Sequence, residues 1–553
     1  LVSCLSFEGG CGHIRLGNHP GQGPLPIPEP EAPHPQSIPI KVGKWPIPED
    51  IFAILNPLTD KPEAVPSMDK IPLDPLFDPD IISKAAAMTA RAHEAFLDLT
   101  AQNLSAMETQ LQALAQFSTA SPSETGNTDP VIPDQHGGRL PAQPEPDVMF
   151  NREQCLEFAV GKAGNVLGAS FDIIDTFPVR VRLPDDPLML VDRILDISGE
   201  MGSLTSGTIV TQHDVLSNAW YLDGNRAPVS ISIEAGQADL FLCSYLGIDH
   251  RVKGKRRYRL LDARVTFHRP LPVPGETIEY HIQIDRFLKQ GDVYLFFFHY
   301  KGYIGSELFI SMRDGCAGFF TPQEVEDSGG IILKPEDKAP ISRQEDPVQS
   351  AFRFPAPVNR QSFSDYQINA LRNGNLEAAF GPEFRNKRLS SWLCLPSGRM
   401  HLIDRVLDFD PRGGRYGLGF ISAQADITPD KWFLTCHFID DMVMPGTLMY
   451  ECCAHALRIF TQRIGWITSK DGVYYDVILN NESDLKCRGP VTPQTRTARY
   501  DIEIKQIGYD PEPFVIADAH MFSDDLRIVL YKDMGMRLIG MTREELEYEW
   551  RTL

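Results

Sequence analysis

Residues 432–451 read Trp432-Phe433-Leu434-Thr435-Cys436-His437-Phe438-Ile439-Asp440-Asp441-Met442-Val443-Met444-Pro445-Gly446-Thr447-Leu448-Met449-Tyr450-Glu451. The aromatic and apolar start, Trp432 to Leu434, predicts the end of a buried strand. His437 and Phe438 lead into an acidic loop, and Met444-Pro445-Gly446 predicts a turn. The apolar run from Thr447 to Phe460 predicts a buried helix. A histidine in a sheltered loop is suited to act as a base near neutral pH. The first free amides of the following helix, near Gly446 and Thr447, are suited to hold a polarised carbonyl oxygen. Glu451 falls about one turn into the helix, where apolar surroundings are expected to raise its pKa and make it an acid.

The string C-H-F-x-x-D-x-V-M-P-G, with an acid fourteen residues after the histidine, resembles the active-site segment of FabA-type 3-hydroxyacyl-carrier-protein dehydratases. The resemblance implies a hot-dog fold, an α+β architecture in which a curved antiparallel sheet wraps one long helix. Upstream, Met400-His401-Leu402-Ile403-Asp404-Arg405-Val406 is similar to the strand that opens this fold. Met442 departs from a usual proline. Glu451 stands where the FabA branch has aspartate and the related FabZ branch has glutamate, which favours dehydration over double-bond isomerisation.

The rest of the chain sets the frame. Its 553 residues exceed one core and predict three or four units. A net charge of −21 argues against nucleic acid and anionic membranes as partners. No apolar run is long enough for a bilayer span. Leu1-Val-Ser-Cys-Leu has no basic leader, so no signal peptide is expected, and the missing Met predicts a fragment of something longer. Ten cysteines without C-x-x-C spacing predict a reducing, cytoplasmic setting and no metal site. Cys452 and Cys453 are expected to be core packing.

In chain order, residues 1–16 resemble weakly the closing strand motif of a condensing-type domain. Residues 17–147 read as linker, proline-rich at first, with a helix near 81–117. Leu97, Leu104 and Leu111 place a seam on that helix, for packing on its own domain or for association between copies.

From there the chain repeats itself. Leu190-Val-Asp-Arg-Ile-Leu-Asp-Ile197 matches Leu402-Ile-Asp-Arg-Val-Leu-Asp-Phe409, 212 positions on. Trp220-Tyr-Leu matches Trp432-Phe-Leu at the same offset, whereas Pro228 pairs with Pro445 and Glu234 with Glu451 at 217. The first copy is therefore five residues shorter where His437 lies in the second, and His213 does not align with it. Leading helical segments near Leu156–Phe171 and Ala370–Phe384 are shared. The expected division is a first FabA-like domain at 148–345 and a second at 346–553.

Stand-alone hot-dog dehydratases are dimers, and the resemblance implies that each site takes its histidine from one subunit and its acid from the other. Tandem copies then form a pseudo-dimer, or double hot dog, in which His437 faces Glu234. Glu451 faces the shortened loop after Trp220 and lacks a base. The implied reaction is a β-elimination giving a trans-2-enoyl thioester and water. Gly446 and Thr447 bind the thioester and no cofactor is needed beyond the carrier's own phosphopantetheine. The implied partners are an acyl carrier protein, neighbouring synthase domains and a second copy of the parent protein. The domain order resembles that of a dehydratase-bearing subunit of bacterial polyunsaturated fatty acid synthases. A non-catalytic carrier-binding scaffold and a hot-dog thioesterase stand as alternatives, and the intact His437 loop favours elimination. Lys255, Arg256 and Arg257 belong to the densest basic run and read either as a carrier-docking patch or as a solvated hairpin.

Overall fold

The structure, a computed structural model, describes residues 148–341 and 352–551. The expectations for residues 1–147, and the boundary at 345/346, lie outside the described residues. Strands form where apolar and polar residues alternate. Thr497–Gly508, for example, buries every second side chain along most of its length. The first copy contributes β1 (Phe150–Asn151), β2 (Arg193–Ser198), β3 (Gly207–Asp214), β4 (Arg257–Phe267), β5 (Thr277–Gln290), β6 (Val293–Ile304) and β7 (Glu307–Phe320). The second contributes β8 (Gln361–Phe363), β9 (Arg405–Asp410), β10 (Phe420–Asp426), β11 (Tyr474–Asp476), β12 (Glu482–Cys487), β13 (Thr497–Gly508), β14 (Phe514–Ser523) and β15 (Leu526–Ile539).

Among the described residues these strands make one 15-stranded antiparallel sheet, ordered β1-β2-β3-β5-β6-β7-β4-β12-β15-β14-β13-β10-β9-β8, with β11 paired to β15. Read from either end, the order meets equivalent strands of the two copies in the same sequence. The halves join where β4 pairs with β12, Thr266 opposite Glu482 and Asp262 opposite Lys486. The pairing satisfies backbone groups that each half alone would leave on an open edge. Equivalent residues also meet at Trp220 and Trp432, whose rings pack edge-on at 4.9 Å. Each indole N–H donates to an equivalent carbonyl, Trp220 to Pro187 and Trp432 to Arg399. The molecule is a pseudo-dimer of two hot-dog folds.

The central helix of the second copy spans Gly446–Arg463 and is buried along almost its whole length. Cys452, Cys453, Ala456 and Phe460 are fully enclosed, as core packing requires. In the first copy the counterpart is broken. Val229–Glu234 is helical, the chain opens through Gly236, and helix resumes at Asp239–Tyr245. Gly236 is needed there, because a Cβ would stand 2.9 Å from the Tyr280 ring. Tyr280 in turn donates its hydroxyl to Ser232 O at 2.7 Å, closing the short helix that ends on Glu234.

The expected strand end at Trp432 is a one-turn helix, Trp432–Cys436. Phe433, Leu434 and Cys436 point into the core from it, and Lys431 O accepts from Leu434 N at 2.9 Å. The leading helical segments are present in both copies, at Arg152–Val160 and Ala163–Leu167, and at Asp365–Arg372 and Leu376–Phe380.

Candidate active site

His437 follows the one-turn helix and is buried with its ring against Phe438, centroids 3.9 Å apart. Its Nδ1 lies 2.9 Å from Val443 O. A carbonyl only accepts, so Nδ1 carries the proton and Nε2 keeps its lone pair. That lone pair faces Glu234 Oε1 at 3.7 Å, across the junction of the two copies. The other carboxylate oxygen accepts the hydroxyl of Thr447 at 2.6 Å.

Burial sets the electrostatics of this pair. It pushes the Glu234 carboxyl up to about 7, against the Thr447 hydrogen bond, which works to lower it. The same burial pushes the imidazole down to about 4, with the Val443 contact acting the other way. Near neutrality, then, the site holds an unprotonated base beside a carboxyl that is protonated in about half of the molecules.

The third element is the start of the long helix. Pro445 precedes Gly446, and no side chain caps the first amides among the described residues. A Cβ added to Gly446 would meet nothing nearer than Leu260 Cδ2 at 4.0 Å, so open space adjoins this backbone. His437, Glu234, Gly446 and Thr447 share a cleft of about 940 Å3 including its mouth, walled by Leu240, Leu260 and Met449 among others.

The acidic loop after His437 is a clamp rather than a solvated turn. Asp440 Oδ2 accepts from Arg182 Nε at 2.6 Å. Asp441 takes both arms of Arg259 at 2.5 and 3.1 Å, with Arg257 at 3.6 Å. Bidentate, charge-assisted pairs of this kind fix geometry as well as adding stability. First-copy arginines thus hold the second copy's histidine loop in place. The sequence offered no partner for these aspartates. The basic run itself was the available signal.

Two of the three basic residues read as a docking patch have partners within the chain. Arg256 is bound to Glu324 at 2.6 Å, and Arg257 turns toward Asp441. Lys255 alone of the three is exposed.

Glu451 reverses its expected behaviour. Burial acts to raise its pKa, but His455, 3.4 Å away, and the Ser230 amide at 3.1 Å outweigh it, so the carboxyl lies below its usual range. The structure does not bring it to His437. Asp223, from the shortened loop, pairs instead with Arg458 nearby. Asp223, Glu451 and His455 place one donor atom each within 4.8 Å of one another. A divalent ion there would have to displace Arg458 from Asp223 and the Ser230 amide from Glu451, and to part His455 from Glu451. Val229 occupies the position equivalent to Gly446, so this second locus lacks both base and open amide. His213 is structural, held between Asp192 at 3.0 Å and Tyr221 at 2.8 Å.

Residues 395–532, which include the histidine loop and the long helix of the second copy, match the FabA-like domain family. The chain is also similar to a polyunsaturated fatty acid synthase subunit of Thraustochytrium sp., 34% identical over 382 residues. That alignment covers 68% of this chain and 25% of the relative, so the chain spans about a quarter of the relative's length. Among solved structures, the dehydratase domain of the CurH module of curacin polyketide synthase is 8% identical, with a TM-score of 0.31, and covers 63% of this chain and 97% of that domain. A putative oleoyl thioesterase from Lactobacillus plantarum is 9% identical, with a TM-score of 0.32, and covers 62% of this chain and all of its own. Among the described residues no helix is long and apolar enough to cross a membrane.

Proposed function

We propose that the chain dehydrates 3-hydroxyacyl thioesters to trans-2-enoyl thioesters within a polyunsaturated fatty acid or polyketide-type synthase. The observation that carries this is the placement of His437 Nε2 3.7 Å from Glu234 Oε1, in surroundings whose burial holds the imidazole's pKa down and the carboxyl's up. The Gly446 amide receives the thioester carbonyl oxygen and stabilises charge that develops on it. His437 Nε2 takes the C2 proton. The electron pair forms the C2–C3 double bond, and the 3-hydroxyl leaves as water with the proton of Glu234. Imidazolium and carboxylate are then left facing each other, and the proton returns from one to the other to reset the site.

The substrate is presented on the phosphopantetheine arm of an acyl carrier protein, and no metal or redox group takes part. Neighbouring synthase domains, a homodimeric parent and a cytoplasmic setting complete the reading. So does the division into a condensing-domain tail (1–16), a linker (17–147) and the two FabA-like domains (148–345 and 346–553). The test is incubation of the chain with a 3-hydroxyacyl-pantetheine thioester. Enoyl product supports the reading, free acid a thioesterase, and no turnover a scaffold. A 3-enoyl thioester accompanying the 2-enoyl product would add isomerisation.

A further inference from the structure

The cleft that holds His437 and Glu234 does not end at the reactive pair. Gln237, Leu260, Gly446 and Thr447 line it and also line an inner cavity of about 650 Å3, counted with its openings. Val229, Tyr450, Val477 and Gly535 border that inner cavity, and the same four border a third one of about 590 Å3, counted the same way. The third cavity is the pseudo-symmetric counterpart of the active cleft. Glu451 lies on its wall, with Asp223 and Gly224 of the shortened loop and the Pro228-Val229 helix start. The three spaces follow one another along the face of a single helix.

We infer that the third cavity is a distal chamber for the end of a long acyl chain, and that Tyr450 partitions it from the space short chains use. The inference rests on the dehydratase reading and adds the class of substrate. Tyr450 borders both inner spaces, and its ring stands edge-on to Tyr531 at 5.2 Å. Tyr531 is itself anchored, donating to Gly446 O at 2.7 Å. At about 1.5 Å per helical residue, the path from Gly446 runs about 6 Å to Tyr450 and about 16 Å to Leu457. Carbon–carbon bonds of about 1.5 Å at tetrahedral angles advance a chain about 1.25 Å per carbon. A thioester carbonyl at Gly446 therefore puts about the fifth carbon beside Tyr450 and about the thirteenth beside Leu457.

The chamber suits an apolar occupant. Ala454, Leu457, Met534 and Met536 form part of its wall, and its polar groups are held by the protein itself: Asp223 by Arg458, Glu451 by the Ser230 amide and His455, and Asp476 by the amides of Leu271 and Val477. Methylenes placed there leave water without breaking those contacts. The duplicated site, having no base and no open amide, keeps a use as volume.

The experiment compares 3-hydroxyacyl-pantetheine thioesters that end before Tyr450 (about four carbons) and that pass Leu457 (about sixteen carbons) on the same bond geometry. Ala454→Phe fills the chamber far from the reacting atoms. It is expected to cut kcat/KM for the long substrate by about tenfold or more and to leave the short one unchanged. Tyr450→Ala is expected to raise the long-to-short ratio. Equal losses on both substrates with an unchanged melting temperature, or an unchanged ratio in both variants, overturn the chamber. If Ala454→Phe unfolds, the ratio in Tyr450→Ala decides alone. Calorimetry with unreactive acyl-pantetheine thioethers of the same two lengths makes the comparison without chemistry. Loss of long-chain binding in Ala454→Phe supports the chamber even if the parent releases no enoyl product, an outcome that sinks only the dehydratase reading. Equal binding by parent and variant sinks the chamber.

Discussion

Thr447 and Glu234 lie on the central helices of different copies, and the Thr447 hydroxyl donates to Glu234 Oε2 at 2.6 Å. The acid is thereby tied to the helix turn that carries the Gly446 amide. The base works only when unprotonated, above about 4, and the acid only when protonated, below about 7. Activity should therefore hold between these limbs and fall as pH rises through the upper one. Thr447 stabilises the charged carboxylate, so Thr447→Val removes an interaction that lowers the pKa. The alkaline limb of the pH–rate profile should move upward by about one unit. A limb that stays put or moves down would show that Glu234 is not the group titrating.

His437→Ala should lower turnover by about a thousandfold, the scale of a lost general base. The fold should survive, since one hydrogen bond to Val443 is worth about 1 kcal/mol. Circular dichroism and a melting curve alongside the assay check both halves. Near-normal turnover would remove the base from the mechanism.

Glu234→Gln should damage turnover far more than Glu451→Gln, because only Glu234 faces His437. Glu451→Gln removes a charge held by His455 and the Ser230 amide, so it should cost about 1–3 kcal/mol of stability instead. Measuring kcat and melting temperature for both variants separates the effects. The opposite order would mean that each copy uses its own acid.

Gly446→Ala tests the open amide. The added methyl meets no atom closer than 4.0 Å, so the protein should fold normally. The methyl still enters the space a substrate must occupy, and kcat/KM should fall about tenfold or more. Unchanged kinetics would move the carbonyl-binding position elsewhere.

Charge reversal in the basic run should split by residue. Lys255→Glu is expected to raise KM for a carrier-bound substrate and to spare a small pantetheine thioester, with added salt reproducing the effect. Arg257→Glu puts a negative charge beside Asp441 and should impair both substrates. Equal effects of Lys255→Glu on the two substrates, or none, would sink carrier docking at this face.

What the sequence showed and what it hid follow from the range of the interactions. The helix from Gly446 and the offset between the copies were legible because apolar pattern and spacing are local. Trp432–Leu434 was misread because a short apolar run has no period to distinguish helix from strand. The partners of Asp440 and Asp441 sit 258 and 182 positions away, and nothing local announces them. Glu451 is different. His455 stands one helical turn beyond it, an i,i+4 spacing that was readable and would have corrected the expected pKa. The pairing of His437 with Glu234 emerged only by treating the repeat as a dimer folded into one chain.

The β4–β12 seam has a consequence beyond architecture. In an association of identical subunits every replacement appears twice, so a histidine lost from one site is lost from its twin. Joined in one polypeptide, the halves answer to selection separately. One could shed five loop residues and its base, and set Val229 opposite Gly446, while still lending Glu234 to its neighbour. Dilution cannot part them either, since the tether keeps the encounter intramolecular at any concentration.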